Sequence, residues 1–168
     1  MIRTGLSFII LLAFTFSASA DWTIKAQNSE FQDSVYMAVV ENDGYALAVR
    51  CKGTKRMLSF AFPQNVSAKA ANTFNFSFPK LNIRVDGGPI LQEWTNITAG
   101  EKYRKGHSMT NSPLTLDTLK ALMGAQSRIA VSIGVNGKIV HETSFTAKGA
   151  LEAVQSLAAH CNKATGPS

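Results

Sequence analysis

Phe145-Thr146-Ala147-Lys148-Gly149-Ala150-Leu151-Glu152-Ala153-Val154-Gln155-Ser156-Leu157-Ala158-Ala159-His160-Cys161 is the stretch on which the fold of this chain turns. Ala147, Leu151, Val154, Leu157 or Ala158, and Cys161 recur at three- and four-residue steps, which places them along one stripe of an α-helix. Such a stripe must lie on something. Its last member is a cysteine, and the chain holds one other, Cys51, in the first third of the sequence. The helix is therefore expected to dock on an upstream strand and to be tied there by a Cys51–Cys161 disulfide. Its full charges are few, Lys148 and Glu152, and it lacks the basic face and bulky aromatics of a membrane-surface helix. An internal lid on a sheet fits it better.

The other end of the chain supplies the compartment that such a disulfide needs. Residues 1–20 have the three parts of a signal peptide: Arg3, an apolar run from Leu6 to Phe16, and Ala18-Ser19-Ala20 as a small-residue cleavage site before Asp21. The apolar run is too short to span a bilayer comfortably. With no cysteine at the cleavage point, a lipid anchor is not expected, and the product should be periplasmic or secreted with no transmembrane segment after cleavage. An oxidising compartment lets two thiols pair and stay paired. Closing a loop of about 110 residues stabilises by roughly 4–5 kcal/mol in the chain-entropy picture. Catalytic dithiols sit as C-x-x-C, and zinc sites cluster Cys and His at short spacings; neither pattern is present, so no redox role, metal or cofactor is expected.

Between the two ends the prevailing period is two. Trp22, Ile24 and Ala26 alternate with Thr23 and Lys25, which predicts a half-buried first strand. Residues 35–40, the turn Glu41-Asn42-Asp43-Gly44, residues 45–51, the turn Lys52-Gly53-Thr54-Lys55 and residues 56–62 predict an antiparallel meander ended by Pro63. Residues 64–72 are polar. Phe74-Asn75-Phe76-Ser77-Phe78 is the cleanest alternation in the chain and predicts a strand with its phenylalanines buried; an exposed aromatic platform is the alternative. Residues 81–85, the turn Asp86-Gly87-Gly88-Pro89 and residues 90–98 predict a hairpin that gives Trp94 and Ile97 to the core. Residues 99–113 read as a polar loop. A short helix follows, capped by Thr115 or Asp117, with Leu116, Leu119, Leu122 and Met123 on one side. Residues 128–133, the Asn136-Gly137 turn and residues 139–145 form a last hairpin.

These elements predict a mainly β chain: an antiparallel β-sandwich or curled sheet with a short insertion helix and a C-terminal helix packed on the sheet. Residues 21–168 suit one β-rich domain after the leader. The formal charge of +6 and its retention as a moderately basic product favour anionic neighbours, without bearing on the fold.

The chemistry-bearing residues are sparse. Lys102, Tyr103, Arg104, Lys105 and His107 cluster positive charge around an aromatic and could meet phosphate, sulfate or carboxylate groups on a partner. The patch lacks the extended basic and aromatic interleaving of a nucleic-acid surface, so no nucleic-acid partner is expected. Arg50, Lys52, Lys55 and Arg56 flank a turn beside Cys51, where lysines commonly protect a sheet edge. His107-Ser108 and His141-Glu142 are adjacent pairs, but neighbours on a strand point to opposite faces and cannot serve as base and nucleophile. No G-x-S-x-G, H-E-x-x-H or phosphate-cradling glycine loop occurs, so no catalytic residue is nominated. His141 and His160 read as surface residues, the second favourable to a helix C-terminus. Asn65, Asn75 and Asn96 head sequons that would matter only in a eukaryotic secretory pathway, and the leader looks bacterial.

Trp22 at the mature start, early paired strands ending at Cys51, and Gly149-Ala150-x-x-Ala153-Val154-x-x-Leu157 closing on Cys161 make a pattern that resembles small exported proteins of Gram-negative, especially alphaproteobacterial, bacteria. Its last twenty or so residues are similar to those of the invasion-associated locus B family. That resemblance implies a periplasmic or surface β-rich protein and supplies no binding residue.

The sequence thus points to an exported, non-enzymatic interaction protein of the bacterial envelope, with a protein or anionic envelope component as partner. An inhibitor or immunity-like protein against an envelope hydrolase is the alternative, with the interface on residues 99–113. A hydrolase would need a pocket that gathers His107 or His141 with a carboxylate. Intact-mass analysis of the exported protein should show loss of residues 1–20 and of two further hydrogens at Cys51 and Cys161; an unprocessed chain or free thiols would overturn the export reading.

Overall fold

The computed structural model describes residues 21–27, 34–99 and 106–161; residues 1–20, where a leader is expected, and Lys102, Tyr103, Arg104 and Lys105 of the basic cluster lie outside them. The chain begins with the expected meander: β1 (Thr23–Gln27), β2 (Val35–Asn42), β3 (Tyr45–Lys52) and β4 (Lys55–Phe62). It continues through α1 (Ala68–Asn75), β5 (Lys80–Val85), β6 (Ile90–Trp94), β7 (Asn96–Thr98) and β8 (Ser108–Pro113). α2 (Leu116–Gly124), β9 (Arg128–Val135), β10 (Lys138–Thr146) and α3 (Ala150–Cys161) complete it. The strands form two antiparallel sheets, a wide one in the order β1-β2-β3-β4-β8-β7 and a narrow one in the order β10-β9-β5-β6.

The two sheets face each other across one core. Leu47, Val49, Cys51, Leu58, Phe60 and Phe62 of the wide sheet meet Leu81, Ile83, Ile129, Val131, Ile133 and Phe145 of the narrow one. Phe60 sets its ring edge-on to Phe145 across the gap. The narrow sheet cannot cover the whole inner face of the wide one. α3 covers the rest, lying against β1, β2 and β3 and touching α2.

α3 is where the sequence placed it, with one shift in its stripe. Ala150, Ala153, Val154, Leu157 and Cys161 are buried, whereas Leu151 is largely exposed. Ala150 and Ala153 let the first turns of the helix sit close to the sheet, and Val154 and Leu157 fill the space beyond them. Sγ of Cys161 is bonded to Sγ of Cys51, with Cα atoms 5.9 Å apart. The start of α3 is held as well. Trp22, buried, donates its indole N–H to the Thr146 carbonyl at 2.9 Å and its backbone N–H to the Lys148 carbonyl at 3.2 Å. Gly149 turns the chain there with φ of +79°, and a Cβ on it would stand 3.5 Å from the Trp22 carbonyl oxygen. Asp21 pairs with Lys148 at 2.8 Å on the surface beside them.

Four expectations give way. β1 is exposed throughout, so Trp22 alone anchors this end and Ile24 faces solvent. Phe74-Asn75-Phe76-Ser77-Phe78 is no strand: Ser67 caps α1 by accepting from the Ala70 N–H, and the helix runs on through Phe74 and Asn75. Asn75 then offers both ends of its amide to Ile97 on the edge strand β7, accepting from its N–H at 2.7 Å and donating to its carbonyl at 3.0 Å. Phe76 is 84% and Phe78 71% exposed, with φ of +48° at Phe78. The expected burial of Trp94 also fails: it is 60% exposed, edge-on to Phe78, with Lys80 Nζ 5.0 Å above its ring. Leu116 likewise faces outward, whereas Leu119, Leu122 and Met123 meet the core as expected and Thr118 is buried with them.

Thr95, buried, is the point where the chain leaves the narrow sheet at β6 and enters the wide one at β7. Just before it, Glu93 carries a carboxylate into the interior, where the hydroxyls of Thr115, the N-cap of α2, and Thr118 both donate to Oε1. A buried carboxylate at a helix N-terminus meets oriented donors and the positive end of the helix dipole. Asp86, at φ of +50° in the β5–β6 turn, accepts from the backbone N–H groups of Gln126, Ser127 and Arg128 at 2.7–2.9 Å. Those bonds hold its carboxyl well below the usual carboxylate range and fix the approach to β9.

Replacing Cys51 and Cys161 together by alanine should keep the fold and lower its unfolding free energy by about 2–5 kcal/mol, read from urea melts of the oxidised parent and the variant. An unchanged midpoint would mean that sheet packing alone holds α3.

Candidate functional site

Every strand of the wide sheet turns one set of side chains to the core and the other outward. The register aligns the outward set in rows. Lys25, Met37, Arg50, Met57 and Pro113 make one; Thr23, Val39, Ala48, Ser59 and Asn111 the next; Glu41, Ala46, Ala61 and Met109 a third. A surface of this kind is ordinarily filled with long polar side chains. Here its centre is alanine, and a cavity of about 500 Å³ lies over it. The walls are Met37, Val39 and Met109; Glu41, Asp43 and His107 stand on the same lining.

Arg50 is the cation of the floor. Its Nη1 donates to Ser59 Oγ at 3.3 Å and to Asn111 Oδ1 at 3.2 Å, and Ser59 Oγ donates to Asn111 Oδ1 at 2.8 Å. Asn111 extends the row to Thr98 Oγ1 at 3.5 Å. The guanidinium is thus oriented by neutral groups, and no carboxylate among the described residues pairs with it. Its Nε is shielded from solvent and has no hydrogen-bond partner among the described residues. On the rim, Lys25 Nζ meets Glu41 Oε1 at 2.6 Å.

Of the residues nominated from sequence, Cys51 and Cys161 are joined and structural. His107 is apart from them, on the cavity lining where the chain enters β8, close to the Asp43-Gly44 turn: a Cβ on Gly44 would be 3.7 Å from His107 Nε2. Residues 108–113, taken as part of a polar loop, are strand β8 between β4 and β7. Their burial explains the composition: Ser108 Oγ accepts from the Val66 N–H at 2.8 Å, and Thr110 Oγ1 donates to the Phe60 carbonyl at 3.4 Å. His160 stacks on Tyr36 with centroids 4.8 Å apart. His141 leans on Phe62 at 4.3 Å, edge-on to Tyr45, with Nε2 2.7 Å from Gln64 Oε1.

Arg50 was read as one of a turn-flanking quartet, and its role on the sheet face was missed. The signal lies in the alternation of β3 itself. Ala46, Ala48 and Arg50 occupy every second position opposite Leu47, Val49 and Cys51, so a strand with a buried apolar face carries small residues and one cation on its other face.

No helix among the described residues is long and apolar enough to cross a membrane, and no group of three potential metal ligands comes together among them. Compared with known proteins, the chain matches no family model, no curated protein and no solved structure.

Burial lowers the His141 pKa below its ordinary value of 6.5. The native state therefore binds fewer protons than the unfolded chain in the window below that value, and stability falls as pH drops through it. In thermal melts from pH 7.5 down to pH 5, His141→Gln should lose part of this decline; an identical slope in both proteins would show that His141 is not its source.

Proposed function

We propose that this chain is an exported, periplasmic or secreted, non-enzymatic binding protein of the bacterial envelope, and that its ligand seats on the outer face of the wide sheet. One observation carries the reading: a cavity of about 500 Å³ with an alanine floor and an oriented arginine that no carboxylate among the described residues pairs with. That volume falls within the roughly 300–1,000 Å³ of small-molecule sites, which combine apolar walls with a few placed polar groups. Its disulfide fits an oxidising compartment, and so does the leader read in residues 1–20.

A hydrolase is the second reading, because His107 shares the cavity lining with Glu41 and Asp43. It lacks a nucleophile in place. Ser108 spends its hydroxyl on Val66, and Ser59 is tied into the Arg50–Asn111 row. The inhibitor reading would put the interface on the basic cluster of Lys102, Tyr103, Arg104 and Lys105.

Ala48→Trp places an indole on the cavity floor without touching the core. Native mass spectrometry of protein purified from an envelope fraction should show a bound mass that this variant lacks at an unchanged melting temperature. A mass that survives in Ala48→Trp and vanishes on charge reversal of Lys102, Arg104 and Lys105 would move the interface to the basic cluster. Conversion of the bound compound by the parent, lost in His107→Ala, would make the protein an enzyme.

A further inference from the structure

The chemistry of the cavity narrows the ligand. Resting on the reading of this face as the binding site, we infer that it takes an aliphatic monocarboxylate, its head on Arg50 and its chain along the alanine and methionine rows. A guanidinium has two edges that can hold a carboxylate by paired N–H bonds, and Nη1 of Arg50 already donates to Ser59 and Asn111. The opposite edge, Nε with Nη2, remains. Its Nε–H is closed to solvent and unpartnered among the described residues, so a carboxylate that displaces what shields this edge satisfies a donor whose isolation is costly.

Charge sets the valence of the head. Among the described residues Arg50 is the only lysine or arginine on the cavity lining, where Asp43 also stands with Glu41, the latter paired to Lys25. A single negative charge is matched there, whereas a phosphate dianion would be left partly uncompensated.

The tail follows from what a sheet face lacks. Backbone N–H and C=O groups of an interior strand are spent sideways on the ladder, so this floor offers few partners for a peptide's amides. An alkyl chain asks for none. Ala46, Ala48 and Ala61 leave depth for it, and Met37, Val39 and Met109 supply adaptable apolar walls. Arg50 marks one end of the β3 row of Ala46, Ala48 and Arg50 that floors the cavity.

Calorimetric titration of the purified protein with sodium decanoate, kept below micelle formation, tests this. Decanoate should bind saturably at one site. Decanol and acetate, each lacking one half of the ligand, should bind at least tenfold more weakly. Arg50→Gln should weaken decanoate binding about tenfold to a hundredfold, as loss of a charged hydrogen-bonded pair does. Arg50→Lys, which keeps the charge but not the fork, should fall between, and melting curves of both variants establish that they are folded. Absence of decanoate binding would overturn the inference. So would equal binding of decyltrimethylammonium, equal binding of decanoate by Arg50→Gln, or tighter binding of an acetylated leucine tripeptide. If decanoate fails while the native protein still carries a mass lost in Ala48→Trp, the ligand class is wrong and the binding face stands. If both fail, the face itself is wrong.

Discussion

The width of the first sheet is the constraint from which the rest of this architecture follows. Six strands present more apolar inner face than four can cover, and an uncovered strip along β1, β2 and β3 would stand in water. α3 closes that strip, and because it must come close to the strands its inner line is built from Ala150, Ala153, Val154 and Leu157. A helix of twelve residues with so small a buried face has modest packing energy of its own. Its two ends are therefore secured by other means: Cys161 through the bond to Cys51, and Gly149 by the close approach of Trp22. The polar burials serve the same layer. Glu93 ties the narrow sheet to the N-terminus of α2, which in turn touches α3, so the lid is braced from the side as well.

Once both layers of the sandwich are committed to one side of the wide sheet, the other side is left to be used. An outer face whose only task is solubility carries long charged side chains in most positions. Lys25, Glu41 and Lys52 do so toward the margins. The central positions depart from it, because Ala46, Ala48 and Ala61 expose the pleat and Ser59 and Asn111 turn inward to hold Arg50. Alanine in a strand gives up β-propensity, and a guanidinium without a carboxylate gives up an ion pair. Two local sacrifices at one place, with no gain to the core, are the mark of a site that answers to something other than folding.

The sequence was legible where one physical signal dominated. The meander, the Asn136-Gly137 and Asp86-Gly87 turns, the last hairpin and the Cys51–Cys161 link each rest on a local rule that the fold had no reason to override. Phe74 to Phe78 shows the opposite case. Its alternation is as regular as any strand's, but Ser67 starts a helix seven positions earlier, Pro79 ends the segment, and Asn75 is needed on the free edge of β7. Those demands come from chain neighbours and a distant strand, so the period-two pattern loses. Residues 108–113 were misread for a related reason. Ser, Thr and Asn in a row look like a loop, yet their hydroxyls and amides are matched by partners that only the assembled sheet provides. Arg50 belongs to the same class, since its meaning depends on Ser59 and Asn111, one and two strands away.

The exposed aromatic corner and the cavity differ in what they reveal about use. Phe78 and Trp94 form an exposed apolar corner with Lys80 over the indole, and Phe78 sits in a backbone region that bulky residues seldom occupy. Nothing there selects one occupant, because flat aromatic surfaces accept sugars, bases and apolar side chains alike. The cavity is more discriminating. A fixed guanidinium has a direction and a charge, an alanine floor has a depth, and a face whose backbone is already paired rejects amide-rich guests. Binding specificity lives in such joint demands rather than in apolar area, since area adds affinity for many partners at once while an oriented donor pair penalises every guest that cannot satisfy it. On the proposed reading, that asymmetry makes Arg50, rather than the aromatic patch, the residue at which a ligand is to be sought.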